Sequence, residues 1–542
     1  MVQVSYSIKM SPRSFILICA AIALLPACQG MTRVSNSLTA THLDKAHAAW
    51  QVMQQETPGT VASQKALKVY DRAVLAVVKS LRKLEGTDAW GKGIQLSGAK
   101  PWKLSLDTST RQDSRPTLAL SEFAHCRLAS DVKLSGFDRV VAHGGLGVPV
   151  VLAQDDPLRA TRPFHPPKGD FLPATAVIEF PDASIGDAAE ARLRFYDPLA
   201  VSAIQVSAHS LPMAENLTAP LQFSLTDSTI DENGSDRLAP SASGEDESKL
   251  LFLNRYDRTK VPVVFVHGLR SGPVGWKNTV NTLLADPELR RRYQPVCFIY
   301  PSGLPIPTSA ARLRELIKAS REKLDPDHSD AGFDRMVLTG HSMGGLLARM
   351  QVINSGNDFW RSFFAVTPEK LAGEIDAKTL RLMQKSLFFD HLPNVKTVVF
   401  ISTPHQGSEI ADNSILRSIA KLFLILPKTA RNSMKSLTEL PPAVINPALR
   451  SFQDWGAEGV ETLSTKHPYF RALALHPIGV PYHSVISTRN PDDYLNGTDG
   501  VVPYWSAHLT GAKSERIIPY PHGCLEKPGA VQAVMTILKG KS

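Results

Sequence analysis

Residues 338–345 read Leu338-Thr339-Gly340-His341-Ser342-Met343-Gly344-Gly345, behind the apolar run Arg335-Met336-Val337-Leu338 and ahead of the helix-forming stretch Leu346-Leu347-Ala348-Arg349-Met350. A G-x-S-x-G pentapeptide between a strand and a helix is a nucleophile elbow. The sharp turn holds its central residue in a strained conformation, and the glycines stand where a Cβ would collide with the neighbouring strand or helix. The strain lifts the Ser342 hydroxyl clear of the sheet. G-x-S-x-G alone also arises by chance in Gly- and Ser-rich loops, so it is the strand before and the helix after that point to chemistry. A serine nucleophile needs a base, an acid and an oxyanion hole, and the remaining sequence must supply them.

Outward from the elbow, apolar strands alternate with longer helical stretches from residue 250 onward. Val261–Val266, Val296–Tyr300, Arg335–Thr339, Val395–Ile401, His483–Ser487 and Arg516–Ile518 are strand candidates. The segments between them, such as Thr308–Leu324, are long enough for crossover helices, which predicts a doubly wound, mostly parallel sheet. Functional groups then belong on loops leaving the carboxyl ends of the strands.

The run Val263-Val264-Phe265-Val266 ends in His267-Gly268-Leu269-Arg270-Ser271-Gly272. Preorganised backbone N–H groups stabilise an oxyanion without reorganising during the reaction, and the expected donors are those of Leu269 and Met343. A glycine-bearing turn after any buried strand is the plain alternative. A similar His143-Gly144-Gly145 is assigned to the accessory region by its place in the chain. A weakly nucleophilic hydroxyl needs a histidine to take its proton and return it to the leaving group. His522, in Pro519-Tyr520-Pro521-His522-Gly523, follows the last strand and fits the chain order Ser, acid, His. His405, in Ser402-Thr403-Pro404-His405-Gln406-Gly407, is its rival, and His341 reads as structural. The acid is Asp499, in the loop Asn496-Gly497-Thr498-Asp499-Gly500-Val501-Val502-Pro503. Asp492 and Asp493 in the same loop are the other candidates, and all three could be solvated turn residues.

Together, Phe265-Val266-His267-Gly268-Leu269, Gly340-His341-Ser342-Met343-Gly344-Gly345, Ser402-Thr403-Pro404-His405-Gln406-Gly407-Ser408, and Asp499-Gly500-Val501-Val502-Pro503 with His522 resemble the α/β-hydrolase superfamily, specifically its lipase-like esterases. The resemblance spans about residues 250–540. It implies hydrolysis of acyl or lipid esters through an acyl-enzyme on Ser342, with no metal or organic cofactor. The same constellation serves acyltransferases, thioesterases and amidases, and a hydrolase fold can also persist as a non-catalytic binding scaffold. Two insertions, Asn354–Pro393 and Glu409–Pro481, emerge above the catalytic edge. Residues 415–426 form an apolar run broken by Arg417 and Lys421, which reads either as an amphipathic lid docking on lipid or as a buried cap helix. Trp276 and Pro301–Pro307 are candidates for an acyl pocket.

The rest of the chain sets the context. At 542 residues, with 43% hydrophobic and 20% charged residues, the chain is globular and long enough for more than one domain. Lys9 and Arg13 precede an apolar run from Phe15 to Leu25, so residues 1–27 read as a signal peptide. Leu25-Pro26-Ala27-Cys28 resembles a bacterial lipobox with Cys28 as the acylated residue, an ordinary secretory signal being the alternative. Gln29 favours an outer-membrane anchor, which would make the protein an envelope lipoprotein. Residues 28–39 form a tether. Residues 40–230 form an accessory region, helical over Ala40–Gln55 and Ser63–Leu84 and then β-rich in short runs that include Ala174–Phe180 and Leu221–Ser224. The polar stretch 231–249 reads as a linker to a hydrolase domain over 250–542. The net charge of +9 is diffuse and has no long basic block with interleaved aromatics, so no nucleic-acid partner is expected. With Cys19 in the signal and Cys28 the lipid site, only Cys126, Cys297 and Cys524 remain. No disulfide framework and no metal-ligand spacing follows.

Overall fold

The computed structural model describes residues 32–34, 37–87, 90, 94–96, 101–106, 117–154, 164, 170–181, 189–225, 248–269, 271–302, 304–407, 440–448 and 468–541. The signal segment 1–27, Cys28, most of the linker and residues 415–426 lie outside these. The chain forms two compact units, one comprising 1–122, 176–195 and 206–209, the other 123–175, 196–205 and 210–542.

In the first unit, helices α1 (Ser37–Gln55) and α2 (Val61–Leu81) pack against each other. The Thr60 hydroxyl caps α2 by accepting from the Ser63 N–H at 3.2 Å, and Tyr70, Val74, Val77, Val78 and Leu81 line its buried face. Strand Trp102–Leu106 pairs antiparallel with Ile94–Leu96 and parallel with the start of Ala189–Tyr196. Two buried polar groups fix the packing. The Tyr70 hydroxyl donates to the Ile178 carbonyl at 2.6 Å and accepts the Ile178 N–H at 2.8 Å, and the Trp102 indole donates to Asp44 at 3.0 Å.

The second unit is built on a seven-stranded sheet: β1 (Lys249–Phe252), β2 (Val261–Val266), β3 (Tyr293–Ile299), β4 (Met336–His341), β5 (Val395–Ile401), β6 (Tyr482–Ser487) and β7 (Ser514–Ile518). Their spatial order is β1-β3-β2-β4-β5-β6-β7, and all neighbours are parallel except β1, which runs antiparallel to β3. The β2 residues Val261-Pro262-Val263-Val264-Phe265-Val266 are buried throughout because both faces of the sheet are covered. Val264, Val266, Leu338, Val398 and Phe400 share a core with α5 (Ile306–Leu324) and α6 (Met343–Arg349). Val263, Phe265, Val337 and Val399 share another with α4 (Lys277–Ala285) and α7 (Pro528–Leu538).

Two features differ from the sequence reading. Leu221–Ser224 is not a strand but part of helix α3 (Thr218–Leu225), capped by the Asn216 side chain, which accepts from the Ala219 N–H at 2.9 Å. A short apolar run carries no period of its own, and this helix is buried over most of its surface. The division between units also does not follow residues 231–249. Val141, Leu217, Leu221 and Leu225 lie in the same core as Trp276, Val280 and Leu283. Polar contacts reinforce this: Thr218 Oγ1 donates to Asn281 Oδ1 at 2.8 Å, and Arg290 reaches both carboxylate oxygens of Glu215 at 3.2 and 3.1 Å. Much of the stretch read as accessory is therefore integral to the second unit.

Candidate active site

Ser342 sits between β4 and α6 at φ 53°, ψ −126°, a conformation unfavourable for any residue with a Cβ. Its N–H bonds the Ile401 carbonyl at 2.9 Å, and its own carbonyl accepts the Gly345 N–H at 3.0 Å, so the surrounding structure holds the strain. Gly344 is required by close approach, because a Cβ there would meet the Val266 and His267 carbonyl oxygens. The elbow packs directly on the end of β2.

The structure brings Ser342, His522 and Asp499 together. His522 Nε2 lies 2.8 Å from Ser342 Oγ, and His522 Nδ1 lies 2.7 Å from Asp499 Oδ2. An ionised carboxylate only accepts, so Nδ1 carries the proton and Nε2 is free to accept from the serine hydroxyl. Asp499 is fully buried. Burial alone would raise its pKa, but the hydrogen bond and charge of His522 and the N–H groups of Val502 and Val501, 2.7 and 2.9 Å from Oδ1, hold it below the ordinary carboxylate value. Gly500 follows at φ 97°, where an L side chain would be strained, which allows the loop to turn those two N–H groups back onto Oδ1. His522 is tied at its backbone too, its N–H donating to the Asp499 carbonyl at 3.1 Å.

The other histidines fall into structural places. His341 Nε2 lies 2.9 Å from the His522 carbonyl oxygen and must donate to it. Burial, with the neighbouring His522, lowers the His341 pKa to about 3, so the ring is neutral near neutrality and braces the loop of the base. His405 is fully buried, with Nδ1 3.4 Å from Arg349 and its ring edge-on to Phe400, and burial lowers its pKa well below the usual value. It faces a cation rather than Ser342. His143 bonds Glu215 at 2.9 Å within the second unit, not in a separate accessory domain, and lies outside the Ser342 cleft. Asp492 and Asp493 lie in a 3-10 turn with exposed side chains.

The loop after β2 carries Leu269. His267 Nδ1 donates to the Gly268 carbonyl at 2.9 Å, its ring stacks on Tyr300 at 4.4 Å, and the Tyr300 hydroxyl donates to the His267 carbonyl at 2.7 Å. In a trans peptide the N–H points opposite to the C=O. Fixing the Gly268 carbonyl therefore fixes the direction of the Leu269 N–H. The Met343 N–H opens α6, where the helix dipole favours negative charge. A cleft of about 500 Å³ opens over Ser342, lined by Leu269, Ser271, His341, Val501, His522 and Leu525 among others. Trp276 does not line it. That ring is fully buried against Phe265 at 5.1 Å, and the described residues of 301–307 are likewise not part of the cleft wall.

Sequence reasoning missed two side chains behind Asp499. Ser487 Oγ donates to Asp499 Oδ2 at 3.0 Å, and Ser402 Oγ lies 2.5 Å from Ser487 Oγ. Ser487 closes a strand and Ser402 opens a motif in which His405 drew attention; being at a strand's carboxyl end was their only signal.

A model of the alpha/beta hydrolase family matches residues 263–531. The strand order, the elbow and this match support the α/β-hydrolase superfamily for the second unit. Similar solved structures include a Bacillus licheniformis lipase, BlEst2, in its propeptide form, at 16% identity and TM-score 0.28 over 52% of this chain and 51% of that one. A lipase-esterase related protein from Clostridium acetobutylicum is 12% identical, with TM-score 0.27 over 55% of this chain and 99% of that one. An esterase from Thermogutta terrifontis, Est2, is 12% identical, with TM-score 0.30 over 56% and 92%. The chain thus spans about half the length of the first of these. Likeness at such values says nothing about activity. No curated protein matches the chain.

Proposed function

We propose that this protein is a serine hydrolase of carboxylic esters. The observation that carries the reading is the unbroken hydrogen-bond chain from Ser342 Oγ through His522 to Asp499, three groups that follow one another along the sequence as serine, acid and histidine. Ser342 attacks the ester carbonyl while His522 Nε2 takes its proton, and the oxyanion forms against the Leu269 and Met343 N–H groups. Collapse expels the alcohol, which receives the proton from His522, and leaves the acyl group on Ser342. Water, deprotonated by the same histidine, then releases the acid. Asp499 keeps the imidazole in the required tautomer and stabilises its protonated form. The apolar Leu269, Val501 and Leu525 favour an acyl chain, and the cleft of about 500 Å³ favours one of modest size.

Ser342→Ala is expected to abolish ester turnover and fluorophosphonate labelling while the circular dichroism spectrum is retained. Labelling that persists in this variant overturns the assignment. The acyl-enzyme is shared with acyltransferases, and partition of the acyl group between water and an added alcohol separates the two activities.

The lipobox-like Leu25-Pro26-Ala27-Cys28 supports a lipid-anchored envelope protein acting on acyl esters at a membrane. Palmitate incorporated in cells expressing the natural sequence and lost in Cys28→Ser is the expected result. Equal release of both forms into the medium contradicts it.

A further inference from the structure

Asp499 Oδ2 accepts two hydrogen bonds, one from His522 and one from Ser487, and the second has no role in the mechanism above. The directions along this chain are forced. The carboxylate can only accept, so the Ser487 hydroxyl donates to it, and the 2.5 Å contact between the two serine oxygens must then be Ser402 donating to Ser487. Ser402 Oγ in turn accepts the Ser487 N–H at 3.3 Å and lies 3.9 Å from Cys524 Sγ. Both serines are 1% exposed, so no bulk water replaces these bonds. Ser402 also stands at φ 46°, one of four non-glycine residues with positive φ among the described residues, and another of the four is Ser342. Glycine would hold that backbone at lower cost, and the one polar group that serine adds there is its hydroxyl.

We infer that Ser402 and Ser487 form a directed hydroxyl relay that positions Asp499 for His522, so that the site works through five side chains rather than three. The inference rests on the proposed hydrolase reading. Ser402 directly follows β5 and Ser487 ends β6, so the relay ties the carboxylate to the carboxyl ends of two adjacent strands as well as to its own loop. Each Asp499 oxygen then has two donors: Val501 and Val502 on Oδ1, His522 and Ser487 on Oδ2. Removing the Ser487 hydroxyl leaves the carboxylate less shielded and a stronger partner for the imidazolium. Protonation of the base then occurs at higher pH.

The charged and titratable groups around Asp499 are His522, His341 behind it, Cys524, and Arg489, whose guanidinium lies against Gly500. His341 is held near 3, and burial pushes the Cys524 thiol up to about 11, so neither titrates near neutrality. In Ser487→Ala, kcat/KM is expected to fall about tenfold, carried by kcat with KM unchanged, and the acidic limb of its pH profile should move to higher pH. Ser487→Thr, which returns the hydroxyl, should restore both. Ser402→Gly, which relieves the backbone, should still lower kcat. Full activity in Ser487→Ala, or a loss with no displacement of the limb and no recovery in Ser487→Thr, overturns the relay. The downfield Nδ1 proton resonance of His522 reads the relay without turnover and should shift between natural protein and Ser487→Ala. An inert natural protein whose resonance still shifts contradicts the esterase reading alone, and an unmoved resonance contradicts the relay alone.

Discussion

At the scale of single residues, the elbow is set by what cannot be added to it. A methyl group on Gly344 would press on two backbone carbonyls at the end of β2, and backbone in the centre of a sheet has nowhere to go. Gly344→Ala is therefore expected to destabilise the second unit by about 3 kcal/mol, measured by urea denaturation, and to remove activity with it. Gly144, where a Cβ meets open space, provides the control, and Gly144→Ala should change stability by less than about 0.5 kcal/mol. Equal effects at the two positions would show that close approach is not what selects glycine in the elbow. The same economy governs His341: beside the nucleophile yet neutral, it supplies a hydrogen bond to the loop of the base without adding charge to the site.

At the scale of elements, legibility followed periodicity and chain order. The strands of the parallel sheet stand out as apolar runs because burial on both faces removes polar residues from them, and α1 and α2 stand out because one face of each is wet. Strand β1, Lys249–Phe252, is not legible in the sequence because four residues beside a polar stretch carry too little pattern to separate from a loop. Helix α3 reads as a strand for the opposite reason, since apolar residues around most of its surface hide a helical period. The groups in the predicted site were legible because their chemistry dictates both residue type and order. Ser402 and Ser487 were not, because serine is common at strand ends and only three-dimensional placement turns a hydroxyl toward Asp499.

At the scale of the molecule, a single cut at the polar stretch 231–249 does not free a complete second unit. A chain beginning at residue 250 lacks Val141, Leu217, Leu221 and Leu225, and uncovers the core formed with Trp276, Val280 and Leu283. Such a fragment is expected to aggregate on expression and to bind a hydrophobic dye, whereas the chain beginning at residue 29 does neither; a monomeric, active fragment 250–542 would contradict this. The long separation between nucleophile and base has a consequence of its own. His522 follows Ser342 by 180 residues, and its loop is pinned by Asp499 and by the His341 ring. During synthesis the serine therefore emerges and waits without a proton acceptor until nearly the whole second unit has been made. Any product interrupted before β7 carries the nucleophile but cannot activate it, so under the proposed reading hydrolytic activity switches on only with the last loop and does not build up gradually as the chain grows.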